Sequence, residues 1–217
     1  MPRLPPPTVS TGPDELLVVG AGGMGREAAD VARATGHRVV IADHGPCDAD
    51  LRRLRRLEIP FVGSPAVWLA AHPTSPWLLG IGRPAARRRV DAELSPLGGP
   101  PTVVVHPAAT VGSDVRLGPG TIVCAGARIS TNVETGRHAH VGSNAAVGHD
   151  SVLGAWTSVN PGALVSGSVR LGDEALVGAG AVVLQGLDLA PGCTIGAAAC
   201  VVRDVTEAVV VKGVPAR

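Results

Sequence analysis

The stretch AAVGHDSVLGAWTSVNPGALVSGSVRLGDEALVG, residues 145–178, returns an aliphatic side chain at every sixth position: Val147, Leu153, Val159, Val165, Leu171 and Val177. Followed in both directions, the step runs from Val105 to Val201, where sixteen of seventeen positions are aliphatic and only Thr135 breaks the series. Gly follows the aliphatic residue at nine steps, and Ala, Ser, Thr or Cys stands four positions after it at twelve of sixteen. A helix needs an apolar period near 3.6 and a lone amphipathic strand a period of 2, so a period of six belongs to neither. It predicts a solenoid in which three hexapeptides make one 18-residue coil. The aliphatic side chain points into a triangular prism, the small one fits where the interior is tight, and Gly helps the chain round the corners. Residues 105–201 supply five to six coils without an insertion.

Upstream the pattern changes. LLVVG (16–20) reads as a buried strand, GMGREAADVARATG (23–36) as a helix closed by Gly36, and HRVVIAD (37–43) as a second strand. LRRLRRLE (51–58) places Leu51, Leu54 and Leu57 on one helical face and its arginines on a solvated face. PAVWLAAH (65–72) and RPAARRRVDAELS (83–95) read as helices, PWLLGIG (76–82) as a strand, and TVVVH (102–106) as the last strand before the solenoid. Alternating strands and helices predict a small Rossmann-like parallel sheet of roughly four strands. The expected fold class is α/β plus all-β, with a disordered Pro-rich leader at 1–13, the Rossmann-like domain at 14–100, and a parallel β-helix with a C-terminal tail at 101–217.

Composition narrows the partners. Nineteen basic and eighteen acidic residues leave a net charge of +1, and aromatics are 2% of the chain. Neither the electrostatic footprint nor the stacking rings of a nucleic-acid or anionic-membrane binder are present, so no nucleic acid and no membrane is expected. Cys47, Cys124, Cys193 and Cys200 form no CxxC pair and read as buried small hydrophobes in a reducing compartment. The leader has no apolar h-region and no stretch offers about 18 unbroken apolar residues, so a cytoplasmic location is expected.

Gly20, Gly22 and Gly25 spell G-x-G-x-x-G between a predicted strand and a predicted helix, with Asp43 ending the next strand. Such glycines let backbone amides approach a phosphate at a helix N-terminus, and the carboxylate can hold a ribose hydroxyl. A domain of roughly 85 residues lacks the second half of a full dinucleotide crevice, so a nucleotide-containing ligand is favoured over NAD, with a purely structural tight turn as the alternative.

Taken in order, GAGGMGREAADVARATG, IAD, LLGIG, VVVHPAATVG, VGHDSVLG, NPGALVSGSVRLG, VGAGAVV and the terminal GVPAR resemble the family of sialic acid O-acetyltransferases and bacterial nucleotide-amino-sugar N-acetyltransferases, over roughly residues 15–217. The resemblance implies a sugar-nucleotide-binding domain followed by a left-handed parallel β-helix, acetyl-CoA as acyl donor, and a homotrimer. It makes His149 the catalytic base and Asp150 its acidic support. It places Gly22, Gly23, Met24, Asp43 and Gly82 at the sugar-nucleotide, and Ser158, Ala179 and Ala197 near acetyl-CoA. Met24 and Ser158 stand where family members commonly carry histidine. The chemistry of the residues agrees, since acyl transfer to an amine or hydroxyl needs a proton acceptor near neutral pKa, and an adjacent carboxylate supports the imidazolium. Gly167, one coil after His149, is expected to stack against it and to offer its N–H as an oxyanion donor.

His106, His138 and His140 raise a zinc alternative on the same scaffold, as in the gamma-type carbonic anhydrases, which the chain resembles in fold only. Their spacing does not match, and His138 and His140 are expected to be polar corner residues or trimer contacts, with no metal ligand assigned. A non-catalytic sugar-nucleotide-binding scaffold and a metal-dependent hydratase are the competing functions.

Overall fold

The computed structural model describes residues 15–217; the expected leader at 1–13 lies outside the described residues. Strand β1 (Glu15–Val19) leads to helix α1 (Gly23–Ala34), strand β2 (Arg38–Ala42), helices α2 (Asp48–Arg56) and α3 (Pro65–Ala71), strand β3 (Trp77–Leu79) and helix α4 (Pro84–Leu94). The sheet is parallel in the order β2-β1-β3, with Leu17 beside both Val40 and Trp77. Aliphatic residues on both faces of β1 and β2 are buried by helices on either side, as an all-parallel sheet requires.

The sheet has three strands rather than about four. Phe61 adds only an isolated bridge to Ile41. The expected last strand, β4 (Val104–Val105), pairs instead with Ile122–Val123. Val105 is already in phase with the six-residue repeat, so Val104 and His106 donate to the Thr121 and Val123 carbonyls of the next coil, and Thr102 alone reaches back to β3, donating to the Trp77 carbonyl at 2.8 Å. Leu57 also departs from expectation: it caps the end of α2 and is 39% exposed, whereas Leu54 is fully packed.

From β4 onward the chain is a left-handed parallel β-helix of about six coils. Its first face has seven strands, from Val104–Val105 to Val210–Val211. Its second face has six, from Thr110–Val111 to Cys200–Val201, and its third five, from Arg116–Leu117 to Asp188–Leu189. Partners lie one coil apart, as in His140 beside Ser158 and Val147 beside Val165. In each two-residue strand the second side chain enters the prism, which is why Val141, Val147, Leu153, Val159, Val165 and Leu171 are buried. Thr135 occupies an inward position without disrupting it, because its hydroxyl meets Thr121 Oγ1 at 3.0 Å and accepts from the Gly118 N–H at 3.0 Å.

The N-terminal domain lies on the first face. Ala28, Ala29, Val31 and Ala32 of α1 share a buried cluster with Val104, Ile122 and Cys124. Helix α4 carries Arg87 and Asp91, one turn apart and both buried, onto the same face. Asp91 Oδ1 accepts from Ser95 Oγ, Arg137 Nη2 and His138 Nε2, and its Oδ2 accepts from Trp156 Nε1 at 2.9 Å.

Two expectations about side chains are corrected here. His138 does hold a coil corner (φ 52), but His140 lies in a first-face strand and neither is a trimer contact, since they are 0% and 4% exposed beneath the chain's own N-terminal domain. His140 Nε2 donates to the Leu79 carbonyl at 3.1 Å. Cys124 and Cys193 are buried as expected, but Cys47 is exposed because it precedes α2, with its thiol 3.2 Å from Asp50 Oδ2. Among the described residues no helix is long and apolar enough to cross a membrane.

Candidate active site

His149 and Asp150 occupy the turn between the second and third faces, bounded by Ala146–Val147 and Val152–Leu153. Asp150 takes a left-handed backbone (φ 60), a conformation that Asp tolerates better than most residues. Its carboxylate Oδ2 accepts from His149 Nδ1 at 2.7 Å, leaving Nε2 as the free ring nitrogen. Asn132, one coil earlier, donates from Nδ2 to Asp150 Oδ1 at 3.0 Å. These hydrogen bonds, that from Asn132 foremost, hold the Asp150 carboxyl below the usual carboxylate range. Both members of the pair are more than half exposed.

Gly167 lies on the same corner one coil later, and the Ser168 N–H donates to the His149 carbonyl at 2.7 Å. A Cβ on Gly167 would stand 2.6 Å from His149 Cε1 and Nε2, so the ring rests directly on the glycine backbone. The Gly167 N–H donates to no backbone carbonyl among the described residues. His149, Asp150 and Gly167 are thus brought together. A shallow hollow of about 450 Å³ on the second face, lined in part by Ala146, Gly148, Leu164 and Ser166, ends beside them.

Ala179 and Ala197 lie elsewhere. They are exposed and stack one coil apart on the corner between the first and second faces, where the Ala198 N–H donates to the Ala179 carbonyl at 2.9 Å. Their own N–H groups meet no backbone carbonyl among the described residues. Ser158 is 2% exposed and faces inward to the domain contact, with its Oγ accepting from Arg87 Nη2 at 2.9 Å.

In the N-terminal domain, Gly22 caps α1 without any side-chain hydrogen bond, and Gly22 and Gly23 have open space where a Cβ would be. Gly25 has none: a Cβ there would run into the Gly20 carbonyl, and one on Gly80 would run into Gly25 Cα, so strand and helix touch backbone to backbone. Asp43 uses both oxygens locally, accepting from the Ala21 N–H at 2.8 Å and the Gly45 N–H at 2.9 Å. Met24 is half-buried against the α1 cluster, and the Gly82 carbonyl accepts from Arg87 Nη1 at 3.2 Å.

Arg87 ties these regions together, and sequence reasoning missed it. Its guanidinium, 0% exposed, donates to the carbonyls of Ile81, Gly82, His138, Trp156 and Thr157 and to Ser158 Oγ, six oxygens in all. Burial pulls it down to about 9, and the oxygens crowding its five N–H groups favour the charged form. Nothing in RPAARRRVDAELS distinguishes Arg87 from Arg88 or Arg89. Asn132 was also missed, although it stands one coil before Asp150 and a step of eighteen would have found it. Among the described residues no three His, Cys, Asp or Glu side chains converge in a metal-binding group. His106, the third residue of the zinc alternative, accepts the Ala108 N–H on Nδ1 at 3.0 Å.

A parallel α/β domain seated on a left-handed β-helix, with an aspartate-supported histidine at a coil corner, defines a hexapeptide-repeat acyltransferase. The PglD N-terminal domain family matches residues 15–94. The acetyltransferase domain of PglB from Neisseria gonorrhoeae FA1090, solved with acetyl coenzyme A, is 30% identical, with a TM-score of 0.84 over 95% of this chain and 99% of that one. PerB from Caulobacter crescentus, solved with CoA and GDP-perosamine, is 31% identical, with a TM-score of 0.85 over 94% of this chain and 96% of that one. WeeI from Acinetobacter baumannii AYE shares the fold at 24% identity, with a TM-score of 0.81 over 93% and 98%. None of the curated protein sequences matches the chain. The chain belongs to the family of nucleotide-amino-sugar N-acetyltransferases built on the hexapeptide-repeat β-helix.

Proposed function

We propose that this protein transfers the acetyl group of acetyl-CoA to the amino group of a nucleotide-linked amino sugar, as a homotrimer in the cytoplasm. The observation that carries the reading is the stack of His149 on Gly167, with Asp150 on the ring's other nitrogen, in a chain of this family. Acetyl-CoA supplies the acyl group already activated as a thioester. His149 Nε2 takes the proton that the acceptor amine loses as its nitrogen bonds the acyl carbon, Asp150 balances the imidazolium through Nδ1–H, and the proton passes to the sulfur as the C–S bond breaks, so that CoA leaves as the free thiol. Gly167 N–H is the donor for the acyl oxygen.

The residues fit a CoA ligand. Ala179 and Ala197 present small side chains and uncommitted N–H groups on one exposed corner, suited to backbone contacts with a pantetheine arm. That corner and the His149 corner are the two edges of the second face. The outward strand residues of this face are Thr110, Arg128, Ala146, Leu164, Val182 and Cys200, with Arg128 the one charged side chain among them, whereas the third face presents Arg116, Glu134, Val152, Arg170 and Asp188. Threefold packing around the second face covers its apolar side chains and sets the His149 corner of one copy against the Ala179 corner of the next.

The sugar-nucleotide falls to the N-terminal domain, with the division at 100/101. Gly22 and Gly23 leave the start of α1 open to a phosphate, Gly82 follows β3 with open space where a Cβ would be, and Asp43 shapes the loop by holding Ala21 and Gly45. Met24 is the second residue of α1.

The test is a panel of nucleotide-linked amino sugars, GDP-perosamine among them, incubated with the purified protein and acetyl-CoA while free thiol is read. Acceptor-dependent thiol release is expected. No release across the panel, together with no thermal shift from acetyl-CoA at a hundred times a typical dissociation constant, where about 2.7 kcal/mol of stabilisation is due, overturns the reading in favour of a non-catalytic scaffold.

A further inference from the structure

We propose that Asn132 is a positioning residue for the base: it anchors Asp150 so that Asp150 holds His149 with Nε2 presented outward. The inference rests on the reading of His149 as the base.

Asn132 and Asp150 occupy equivalent places on successive coils, both in the left-handed backbone (φ 58 and φ 60). The two carboxylate oxygens of Asp150 are divided between two donors, Oδ1 taking Asn132 Nδ2 at 3.0 Å and Oδ2 taking His149 Nδ1 at 2.7 Å. The other end of the amide is oriented as well. Thr131 Oγ1 lies 3.2 Å from Asn132 Oδ1 and 2.8 Å from the Ser113 carbonyl, so its single proton serves two acceptors and turns the amide oxygen toward the hydroxyl. The amide nitrogen is thereby left facing Asp150. A line of contacts runs from Ser113 through Thr131, Asn132 and Asp150 to His149, across three coils.

The anchoring matters because the pair is exposed. With half or more of each side chain in solvent, a carboxylate tied only to the imidazole would exchange that bond for water and other rotamers. A second bond to the rigid coil below removes much of that freedom, and it also stabilises Asp150 as the anion that a Nδ1–H donor needs. The turn itself does not demand an amide. The same corner place is filled by Asp114, Asn132, Asp150, Ser168 and Gly186 on successive coils, and all of them hold positive φ. Among these side chains only the Asn amide can offer an N–H to the carboxylate on the next coil.

Two variants separate positioning from turn formation. Asn132→Gly keeps the left-handed backbone and removes the amide; Asn132→Asp keeps shape and backbone and sets an anion against Asp150. The readout is the nitrogen resonances of the His149 imidazole in the full chain without ligand at about pH 8.5, where an unperturbed imidazole is neutral, the signals being identified by their loss in His149→Gln. Wild type is expected to show the Nδ1–H form and both variants a mixture of tautomers, with melting temperature unchanged. Turnover in both is expected to fall about tenfold with the KM for acetyl-CoA unmoved, a fraction of the ~10² to 10⁴ that a positioned base contributes. His149 signals in both variants that superimpose on wild type would overturn the proposal. A failure of the base assignment reads differently: His149→Gln would then retain full turnover.

Discussion

Arg87 Nη2 stands 2.9 Å from Ser158 Oγ, and this contact joins the helix after β3 to the first face of the solenoid. It also accounts for the small residue at position 158. The guanidinium fills the space next to Ser158, and an imidazole there would have to displace it or overpack a fully buried contact.

Replacing Arg87 by Met is expected to cost about 3 kcal/mol or more, because it strips the donors from several buried carbonyls at once. Arg87→Lys should recover less than half, since an ammonium has three donors and no planar fork to reach both domains. Urea denaturation measures both, and a loss below about 1 kcal/mol for the Met variant would show that the domain contact does not depend on this side chain.

His149→Ala is expected to lower turnover about a hundredfold or more while leaving acetyl-CoA affinity nearly unchanged, with Asp150→Asn costing less. Gly167→Ala provides a separate check. Gly167 does not hold a positive φ, so Ala suits the backbone, but its Cβ would stand 2.6 Å from the ring. The exposed imidazole can swing aside, so stability should change by no more than about 1 kcal/mol while turnover falls at least tenfold. Wild-type turnover in Gly167→Ala would mean that the ring is not used in this position.

Stability should fall on acidification through a defined window. Burial pushes His138 down from 6.5 to about 4, assisted by the nearby Arg137 and Arg87 and opposed by Asp91, and burial moves His140 in the same direction. The folded protein keeps His138 neutral while the unfolded chain takes up a proton below 6.5, so this stability is complete above 6.5 and is lost progressively as the pH drops to about 4. Melting temperature measured across this range should decline less steeply in His138→Gln than in wild type. Parallel curves would place the acid sensitivity elsewhere.

Leu164 is 47% exposed on the second face. A glutamate there would bring like charges together around a threefold axis, so Leu164→Glu is expected to convert a trimer to monomers by light scattering and to abolish activity. A wild-type protein that is already monomeric at micromolar concentration would end the trimer reading.

Much of this architecture was legible in the linear chain. A period of six assigns each residue to the inside, a corner or the outside of a prism, so the eighteen-residue separation of His149 and Gly167 already implied that they stack. The glycine fingerprint likewise marked the turn between β1 and α1, whereas the backbone contact that brings Gly80 against Gly20 and Gly25 is visible only once β3 lies beside β1. The shorter sheet was not legible, since TVVVH fits the last strand of one domain as well as the first coil of the next. Its pairing with Ile122–Val123 is decided by phase.

What sequence alone determined, then, is what depends on neighbours along the chain: the coil, its register, the inward side chains and the histidine–aspartate corner. The tertiary structure decided which of three outward faces is covered, because the repeat fixes the inward side chains alike on all three and assigns no partner to the outward ones. Once α1 and α4 lie on the first face, His138 and His140 are buried rather than free, and Arg87 rather than Arg88 or Arg89 becomes the link between domains. Ser158 then serves that link. The second face, largely apolar but carrying Arg128, is left uncovered by the chain's own helices, since burial depends on which elements meet in space and a local period carries no information about that.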